Sequence, residues 1–478
     1  MISHRVLLLG AAAAFLGGCS LAPQYTRPEA PVQASWPAGP AYDNAQAPPG
    51  AKAAAEATWK EVFPDERLRK VVGMALGNNR SLRIAALNAE YARALYGVQR
   101  AELFPTVNAT AAGAKQRVPA DLSRSGQVNR PEEYNVNLGI AAWEIDFFGR
   151  IRSLKDAALE EYLATEQARR SAGILLVSEV ANAWLSLAAD RETLRLARST
   201  METQKAAYDL IRKRYDVGLL PELDLRQAQT RVDVARADAA FYERRVAQDR
   251  NALELLAGGR VPDELLPADL STVVPPEEVA AGLPSDVLLR RPDILQAESL
   301  LRAENANIGA ARATLFPRIS LTASFGTSSA ELSNLFKSGQ ESWNFAPRIV
   351  LPIFDARSWA ALDAVKVRRE IAVAQYEMAI QSAFRDVADA LAAKGTIEEQ
   401  LAAQQSLAEA VEATYRLSSQ RYEKGIDSYL GVLDAQRSLY AAQQGLISAR
   451  LARLAARVNL YAALGGGGDE DASSGGGR

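Results

Sequence analysis

The two residue types that most often carry enzyme chemistry are almost missing from this chain of 478 residues. The one histidine is His4 and the one cysteine is Cys19, so the chain after residue 19 has neither an imidazole nor a thiol. This excludes Ser-His-Asp and Cys-His nucleophilic sites, Cys/His zinc sites and structural disulfides from the body of the protein. No motif of a carboxylate-based enzyme is visible. We therefore predict a protein that is not an enzyme, with no metal site, no cofactor, and Cys19 as its one reactive side chain.

Cys19 stands at the end of an export signal. An apolar stretch, residues 6–16, follows a charged start and is too short to span a bilayer, which is typical of a signal peptide over residues 1–18. Residues 16–19 read LGGC and resemble the lipobox of bacterial lipoproteins. The resemblance implies covalent diacylglycerol and palmitate on Cys19, with Ser20 favouring sorting to the outer membrane. The alternative is an ordinary secretory signal with an incidental cysteine.

The overall charge gives no sign of nucleic-acid binding. The chain has 55 basic and 57 acidic residues, a formal net charge of −2. Nucleic-acid-binding domains usually carry a clear basic excess. We therefore expect no nucleic-acid partner.

The elements that would position a functional site occur twice along the chain. Residues 104–113 read FPTVNATAAG, and residues 316–326 read FPRISLTASFG. Residues 214–229 (RYDVGLLPELDLRQAQ) are similar in the same way to residues 421–436 (RYEKGIDSYLGVLDAQ). We interpret this as an internal two-fold sequence repeat, in which each copy contains a helix, a β-hairpin, a very long helix, a tight turn and a returning helix.

The predicted boundaries follow the prolines, the glycines and the changes of hydrophobic period. The first repeat covers residues 65–257: helical periodicity from Asp65 to Leu103, a hairpin at about 104–145, a long helix at about 150–217 and a return helix at about 222–257. The second repeat covers residues 286–464: a helix, a hairpin at about 316–353, a long helix at about 356–424 and a return helix at about 427–464. Residues 19–64 are predicted to be a lipidated, proline-rich extended arm, residues 258–285 a linker, and residues 465–478 a disordered tail.

Both hairpins alternate between apolar and small or polar residues. In the first, Tyr134, Val136, Leu138 and Ile140 alternate with asparagine, glycine and alanine, and residues 319–325 repeat the pattern in the second. This fits a membrane barrel with lipid outside and water inside, and equally a soluble sandwich with one wet face. Aromatic residues at the strand ends fit either a membrane-interface girdle or a packed junction; they are Trp143, Phe147, Phe148, Trp343, Phe354 and Trp359.

The two long helices are predicted from the absence of proline between residues 149 and 220 and after Pro352. At ~1.5 Å per residue each reaches about 100 Å, a length seldom held by a single globular domain. Each ends in Arg-Tyr-x-x-Gly, with Gly218 or Gly425 placed for the left-handed turn after a helix. In the first copy Pro221 comes just after that turn, which suits the first position of a helix.

The whole mature chain resembles the TolC-type outer membrane factors, in the lipidated NodT/OprM-like subgroup of tripartite efflux systems of the resistance-nodulation-division (RND) type. The segments that carry the resemblance are residues 16–19, the Phe-Pro pairs at 104–105 and 316–317, DFFGR at 146–150, LPSDVLLRRPDI at 283–294 and YLGVLDAQ at 429–436. It implies a membrane α+β fold: a trimeric 12-stranded outer-membrane β-barrel, four strands per chain, continuous with a long periplasmic α-helical barrel.

The resemblance also implies the function and the partners. The protein would be a passive exit duct for drugs or other small molecules, a homotrimer among outer membrane lipids. A periplasmic membrane-fusion adaptor would join it to an inner-membrane transporter of the RND type, which supplies the energy.

The resemblance implies two kinds of site residue. The helix tips, where the adaptor would bind, carry Arg214, Tyr215, Gly218, Arg421, Tyr422 and Gly425. The periplasmic gate would contain Leu430 and Asp434, four residues apart on one helix face. The first copy has Leu223 at the position of Leu430, but Gln227 where the acid would be. The alternatives are that the tip residues only cap helices and that the gate residues form a solvated face.

Two other functions stay open at this point. One is an outlet for metal export or for type I polypeptide secretion, which the sequence separates poorly from drug efflux. The other is a structural coiled-coil lipoprotein of the periplasm, which explains Cys19 and the long helices but not the two alternating hairpins.

Overall fold

The computed structural model describes residues 20–43, residue 45 and residues 57–466. The predictions for the signal peptide, for Cys19, for part of the arm and for the tail from residue 467 onward lie outside the described residues.

The described elements follow one another in an order that places a hairpin before each of two very long helices. They are α1 Trp59–Val62, α2 Glu66–Asn78, α3 Arg80–Ala101, β1 Val107–Lys115, β2 Glu132–Glu144, α4 Arg150–Asp216, α5 Glu222–Ala257, α6 Pro284–Leu288, α7 Pro292–Ala313, β3 Arg318–Ser329, β4 Glu341–Val350, α8 Ala356–Glu423 and α9 Tyr429–Ala463. Short 3₁₀ turns lie at Asp263–Leu265, Leu270–Thr272 and Leu332–Asn334. The helices α4 and α8 contain 67 and 68 residues.

The chain forms two compact units. Of the described residues, the strand unit contains 20–29, Asn88–Thr165 and Gln296–Tyr376. The helical unit contains 30–43, residue 45, residues 57–87, Glu166–Leu295 and 377–466.

The strand unit is built on one four-stranded antiparallel sheet in the order β1-β2-β3-β4. Its register places Leu138 opposite Phe325 and Phe325 opposite Trp343, so the apolar positions of neighbouring strands fall in one row. The register shifts between Ile140 and Trp143, where Ala142 has a φ of 52° and its amide donates to Thr322 Oγ1 at 3.1 Å. This is a β-bulge, a feature common at barrel rims. The outer edges of β1 and β4 have no strand partner within the described residues.

The helical unit has a continuous hydrophobic core. Trp184, Leu185 and Leu187 of α4 are fully buried and pack with residues of α2, α5, α8 and α9. Among the described residues, α4 is the one helix with the length and hydropathy to cross a bilayer, but 56% of its apolar stretch is buried within the protein. Burial of this kind identifies a core helix, so the hydropathy of α4 is explained by packing.

The predicted helical segment from Asp65 to Leu103 was wrong in one respect, because the structure divides it into α2 and α3 at Asn79. Asn79 has extended backbone angles, and its side-chain Oδ1 accepts a hydrogen bond from the amide of Leu82 at 3.0 Å. Its Nδ2 donates to the carbonyl of Leu256 at 2.9 Å. Asn79 therefore caps α3 and fastens the break to α5.

Candidate functional sites

One face of the sheet is apolar and open to the surroundings. Phe325 is 64% exposed and Trp343 is 76% exposed, although they stand opposite each other on neighbouring strands. Other large exposed apolar residues on this face are Val107, Leu138, Phe345 and Ile349. Leaving so much apolar area in water is unfavourable, so this face requires a lipid or protein covering.

The opposite face of the same sheet carries small and polar side chains. They include Asn108, Thr110, Asn135, Asn137, Thr322, Ser324, Ser328 and Asn344. Two glycines let β2 and β3 approach closely, because a Cβ on Gly326 would lie 2.1 Å from the carbonyl oxygen of Val136 and one on Gly139 2.5 Å from that of Ala323. A hydrogen-bonding face of this type is suited to water.

The six aromatic residues at the strand ends fall into two groups. Phe147 and Phe148 are half-buried, and Phe148 stacks on Phe316 with ring centroids 5.0 Å apart, as in a packed junction. Trp143 is also half-buried. The exposed members are Trp343 at the loop end of β4 and Phe354 and Trp359 at its helix end, with Phe354 89% exposed. The exposed aromatic residues thus lie near both ends of β4.

The ends of the two long helices have the same backbone geometry. In α4, Gly218 has a φ of 75°, its amide donates to the carbonyl of Tyr215 at 2.8 Å, and the amide of Leu219 donates to that of Arg214 at 2.9 Å. In α8, Gly425 has a φ of 74°, and its amide donates to the carbonyl of Tyr422 at 2.9 Å. The amide of Ile426 donates to the carbonyl of Arg421 at 3.0 Å. Both ends are Schellman motifs, which explains why glycine stands at each of them. Pro221 is the N-cap residue of α5, one position before the helical position that the sequence predicted.

The two helix ends also contact each other. Nη1 of Arg214 donates to the hydroxyl of Tyr422 at 3.4 Å, and the rings of Tyr422 and Tyr429 lie 5.1 Å apart. Arg421 binds Asp427 through Nε at 2.5 Å and Nη2 at 3.1 Å, and this ion pair holds the pKa of Asp427 below its usual value. The apolar side chains at these turns, Val217, Leu219 and Ile426, are left exposed. The structure therefore brings all six predicted tip residues into one region, beside an apolar surface that no sequence pattern indicated.

The three predicted gate residues lie at the starts of the returning helices. Leu223 and Leu430 are exposed, in the first turns of α5 and α9. Asp434 follows one turn later on α9 and forms an ion pair with Arg437, with Oδ1 2.5 Å from Nη2. This partner was missed in the sequence, and it neutralises part of the acidic charge predicted for the gate.

The arm next to Cys19 is held by a buried carboxylate. Glu298 of α7 accepts from Nε and Nη2 of Arg27 at 2.9 and 2.7 Å, from Arg302 at 2.7 Å and from the hydroxyl of Tyr25 at 3.1 Å. Burial favours its neutral form, but the hydrogen bonds from Arg27 and the charge of Arg302 hold the pKa of Glu298 below its ordinary value. Nothing in the local sequence signals the contact with the arm, because Arg27 and Glu298 are 271 positions apart in the chain.

A pair of carboxylates lies in the helical unit. Asp249 of α5 faces Asp190 of α4, and Nε of Arg245 donates to Asp190 at 2.9 Å. Burial, followed by hydrogen bonding to Asp190 and its charge, raises the pKa of Asp249 to about 7. Within the part of the chain that the structure describes, no group of three or more His, Cys, Asp or Glu side chains is placed to hold a metal ion.

Comparison with protein families gives a match over most of the chain. A family model described as outer membrane efflux protein matches residues 71–259 and 283–466. The two matched segments together include all four strands and both long helices.

Characterised relatives are similar over nearly their whole length. The antibiotic efflux pump outer membrane protein ArpC of Pseudomonas putida is 50% identical over 470 residues, 98% of this chain and 96% of the relative. The toluene efflux pump outer membrane protein TtgC of Pseudomonas putida has the same identity and coverage.

A solved structure has a similar fold. The outer membrane channel MtrE of Neisseria gonorrhoeae, crystallised in its open state, superimposes with a TM-score of 0.84 at 40% sequence identity. The match covers 94% of this chain and 98% of MtrE.

Proposed function

The chain belongs to the outer membrane efflux protein family, which consists of channel proteins, and we propose that it is the passive exit duct of a tripartite efflux pump. It is an efflux channel of the outer membrane with a large periplasmic part. The family membership fixes the location and the class of function, and the assembly, partners and substrates that follow are the proposal.

The observation that carries the proposal is a sheet with an exposed apolar face and two open edges. Unpaired backbone groups at a sheet edge cost several kcal/mol each inside a bilayer, so β1 and β4 require strands from other chains. Four strands are fewer than the roughly eight of the smallest known barrels. We propose a homotrimer in which three sheets close a 12-stranded barrel, with the apolar face toward lipid and the polar face toward water.

The helices support the same assembly. Tyr91, Leu95 and Val98 form an exposed apolar stripe on α3, at the spacing of one helix face. Such a stripe is typical of a helix that packs against another chain.

We propose that α4, α5, α8 and α9 of three copies form a periplasmic α-helical barrel continuous with the strands.

The helix tips are the proposed contact with a periplasmic membrane-fusion adaptor. The tip residues Arg214, Tyr215, Gly218, Arg421, Tyr422 and Gly425 shape two equal turns that present Val217, Leu219 and Ile426 outward. An exposed apolar patch with a polar rim is the usual form of a protein-binding surface. Through the adaptor, an inner-membrane transporter of the RND type would drive export.

The periplasmic gate is proposed at Leu223, Leu430 and Asp434, near the same end of the helices. Three copies of Leu430 would form an apolar constriction, and Asp434 with Arg437 would form a mixed ring of charge beside it.

Cys19 is the proposed lipidation site, carrying diacylglycerol and palmitate. The arm contact at Glu298 then ties the lipid anchor to α7.

The proposed substrates are small amphiphiles such as antibiotics and organic solvents, because relatives at 50% identity are named for antibiotic and toluene efflux.

The assembly is tested by extracting the mature protein in mild detergent and reconstituting it in planar bilayers. We expect a heat-modifiable trimer, rich in both helix and strand, that forms discrete conducting pores. A monomeric, purely helical species without conductance would contradict the proposal.

A further inference from the structure

We propose that Arg348 is a charge-selectivity residue of the pore, placed near the helix end of the polar face of the sheet. The inference rests on the proposed function, because it requires that face to line a conducting lumen. Arg348 would be a second position, besides the gate, at which the charge of the pore discriminates between anions and cations.

Arg348 stands in a transverse row with Ser320 and Glu144. The β-ladder pairs Ser320 with Arg348 on one side and with Glu144 on the other. Residues directly opposite each other in antiparallel strands point to the same face. The three side chains therefore share the polar face of the sheet, close to the start of the long helices.

The carboxylate in this row is already bound by two other arginines. Glu144 accepts from Nε and Nη2 of Arg150 at 2.9 Å each, and its Oε2 lies 2.6 Å from Nε of Arg318. Its side chain is only 10% exposed. Arg348, in contrast, is exposed and forms no ion pair or hydrogen bond with another described residue. Three arginines thus stand near one carboxylate, and Arg348 is the one that does not bind it.

Apart from Glu144, which Arg150 and Arg318 already bind, no acidic residue on the polar face of the strands lies near Arg348. On the polar face, the strand positions from this row to the far end carry asparagine, threonine, serine, glycine and alanine, until Glu133 near the loops. Glu133 and Glu144 stand at the two ends of β2, about 35 Å apart at ~3.3 Å per residue. That distance is several times the Debye length of about 8 Å at physiological salt, so Glu133 does not cancel the field at Arg348.

Three copies of Arg348 would form a ring of positive charge at the level where the strands meet the helices. Rings of arginine or lysine favour anions in pores and disfavour cations. Removing the charge of Arg348 should therefore increase the permeability to cations relative to anions, whichever ion the whole channel prefers.

The test replaces Arg348 by cysteine and then attaches a positive or a negative group to that thiol in open pores. The chain has no cysteine besides Cys19, so Arg348→Cys adds the one thiol on the sheet. In single channels of Arg348→Cys, a positively charged methanethiosulfonate (the trimethylammonium-ethyl reagent) forms a mixed disulfide and releases methanesulfinate. It should raise the chloride-to-potassium permeability ratio about twofold, and the sulfonate-ethyl reagent should lower it by a similar factor. Both effects should be larger at 0.1 M than at 1 M salt.

The matched control is Phe345→Cys, because Phe345 lies on the apolar face of the same strand. This variant and the unchanged protein should not respond to either reagent. Changes of opposite sign with the two reagents, confined to Arg348→Cys, would establish the inference. A conducting Arg348→Cys pore with an unchanged permeability ratio, or an equal response of Phe345→Cys, would overturn it. A protein that forms no pore at all would overturn the proposed function and this inference with it.

Discussion

The carboxylate of Asp434 accepts a hydrogen bond from Nη2 of Arg437 at 2.5 Å, one turn further along α9. Both side chains are about two-thirds exposed, at 64% and 65%. Surface pairs of this type contribute about 0–1 kcal/mol to stability, so their importance lies in the electric field rather than in folding. At the proposed gate the pair makes the local charge close to neutral.

The first prediction separates the two charges of this pair. Asp434→Ala should leave the charge of Arg437 uncompensated and increase the permeability to anions relative to cations. Arg437→Ala should leave the carboxylate of Asp434 unpaired and increase the relative permeability to cations. The reversal potential in a KCl gradient measures both. Gln227→Ala, at the equivalent position on α5, is the matched control and should behave like the unchanged protein. Unchanged conductance and permeability in both charge variants would remove Asp434 from the gate.

The second prediction concerns the apolar surface at the helix tips. Leu219→Asp places a charge on a residue that is 72% exposed, so it should disrupt partner binding without disturbing the fold. We expect ethidium accumulation to rise to the level of cells without the gene, with normal amounts of trimer in the outer membrane. Leu219→Ile keeps the apolar surface and should retain efflux. Full efflux by Leu219→Asp would show that adaptor binding does not use this turn.

The third prediction concerns the arm. Glu298→Gln removes the charge that binds Arg27 and Arg302, which should cost about 2 kcal/mol of local stability and release the arm. Limited proteolysis of the purified protein should then cleave between residues 20 and 29. Glu304→Gln, on the same helix but in an ion pair with Arg368 of α8, is the control and should leave the arm protected. Equal protection of the arm in both variants would argue against a clamp at Glu298.

The fourth prediction is a pH dependence from Asp249. Because its pKa is raised to about 7 in the folded protein, the folded form keeps a proton that the unfolded chain releases above about 4. The stability of the helical unit should therefore fall as the pH rises from about 4 to about 7, and then stop falling. Asp249→Asn should remove this slope and melt at a higher temperature than the unchanged protein at pH 8.

Circular dichroism melting curves between pH 5 and pH 8 test this prediction. Asp233→Asn, at a position on the same helix away from Asp190, is the control. Parallel pH profiles for the unchanged protein and Asp249→Asn would mean that this carboxyl does not govern the stability of the helical unit.

The sequence predicted those features that depend on local period and on helix-end chemistry. Alternation alone placed Leu138 and Phe325 on the apolar side of their own strands, because side chains on a strand alternate between two sides. The register of the sheet then sets the two residues opposite each other. The Arg-Tyr-x-x-Gly pattern located both helix ends, because a left-handed turn favours glycine.

The sequence did not predict features that depend on contacts between distant segments. The break at Asn79 is stabilised by a bond to Leu256, and the pKa of Asp249 depends on Asp190 in another helix. Neither partner is marked by a local pattern. The number of chains in the proposed barrel also came from the family resemblance, since hydrogen bonds between copies would leave no trace in one sequence.

Accumulation of ethidium in intact cells measures efflux by this protein directly. Cells lacking this gene and its related outer membrane channels are compared with the same cells carrying the full chain. We predict higher accumulation without the gene and restoration of low accumulation by the full chain. Equal accumulation in both strains would contradict efflux of small amphiphiles, and would favour an outlet for metal ions or polypeptides instead.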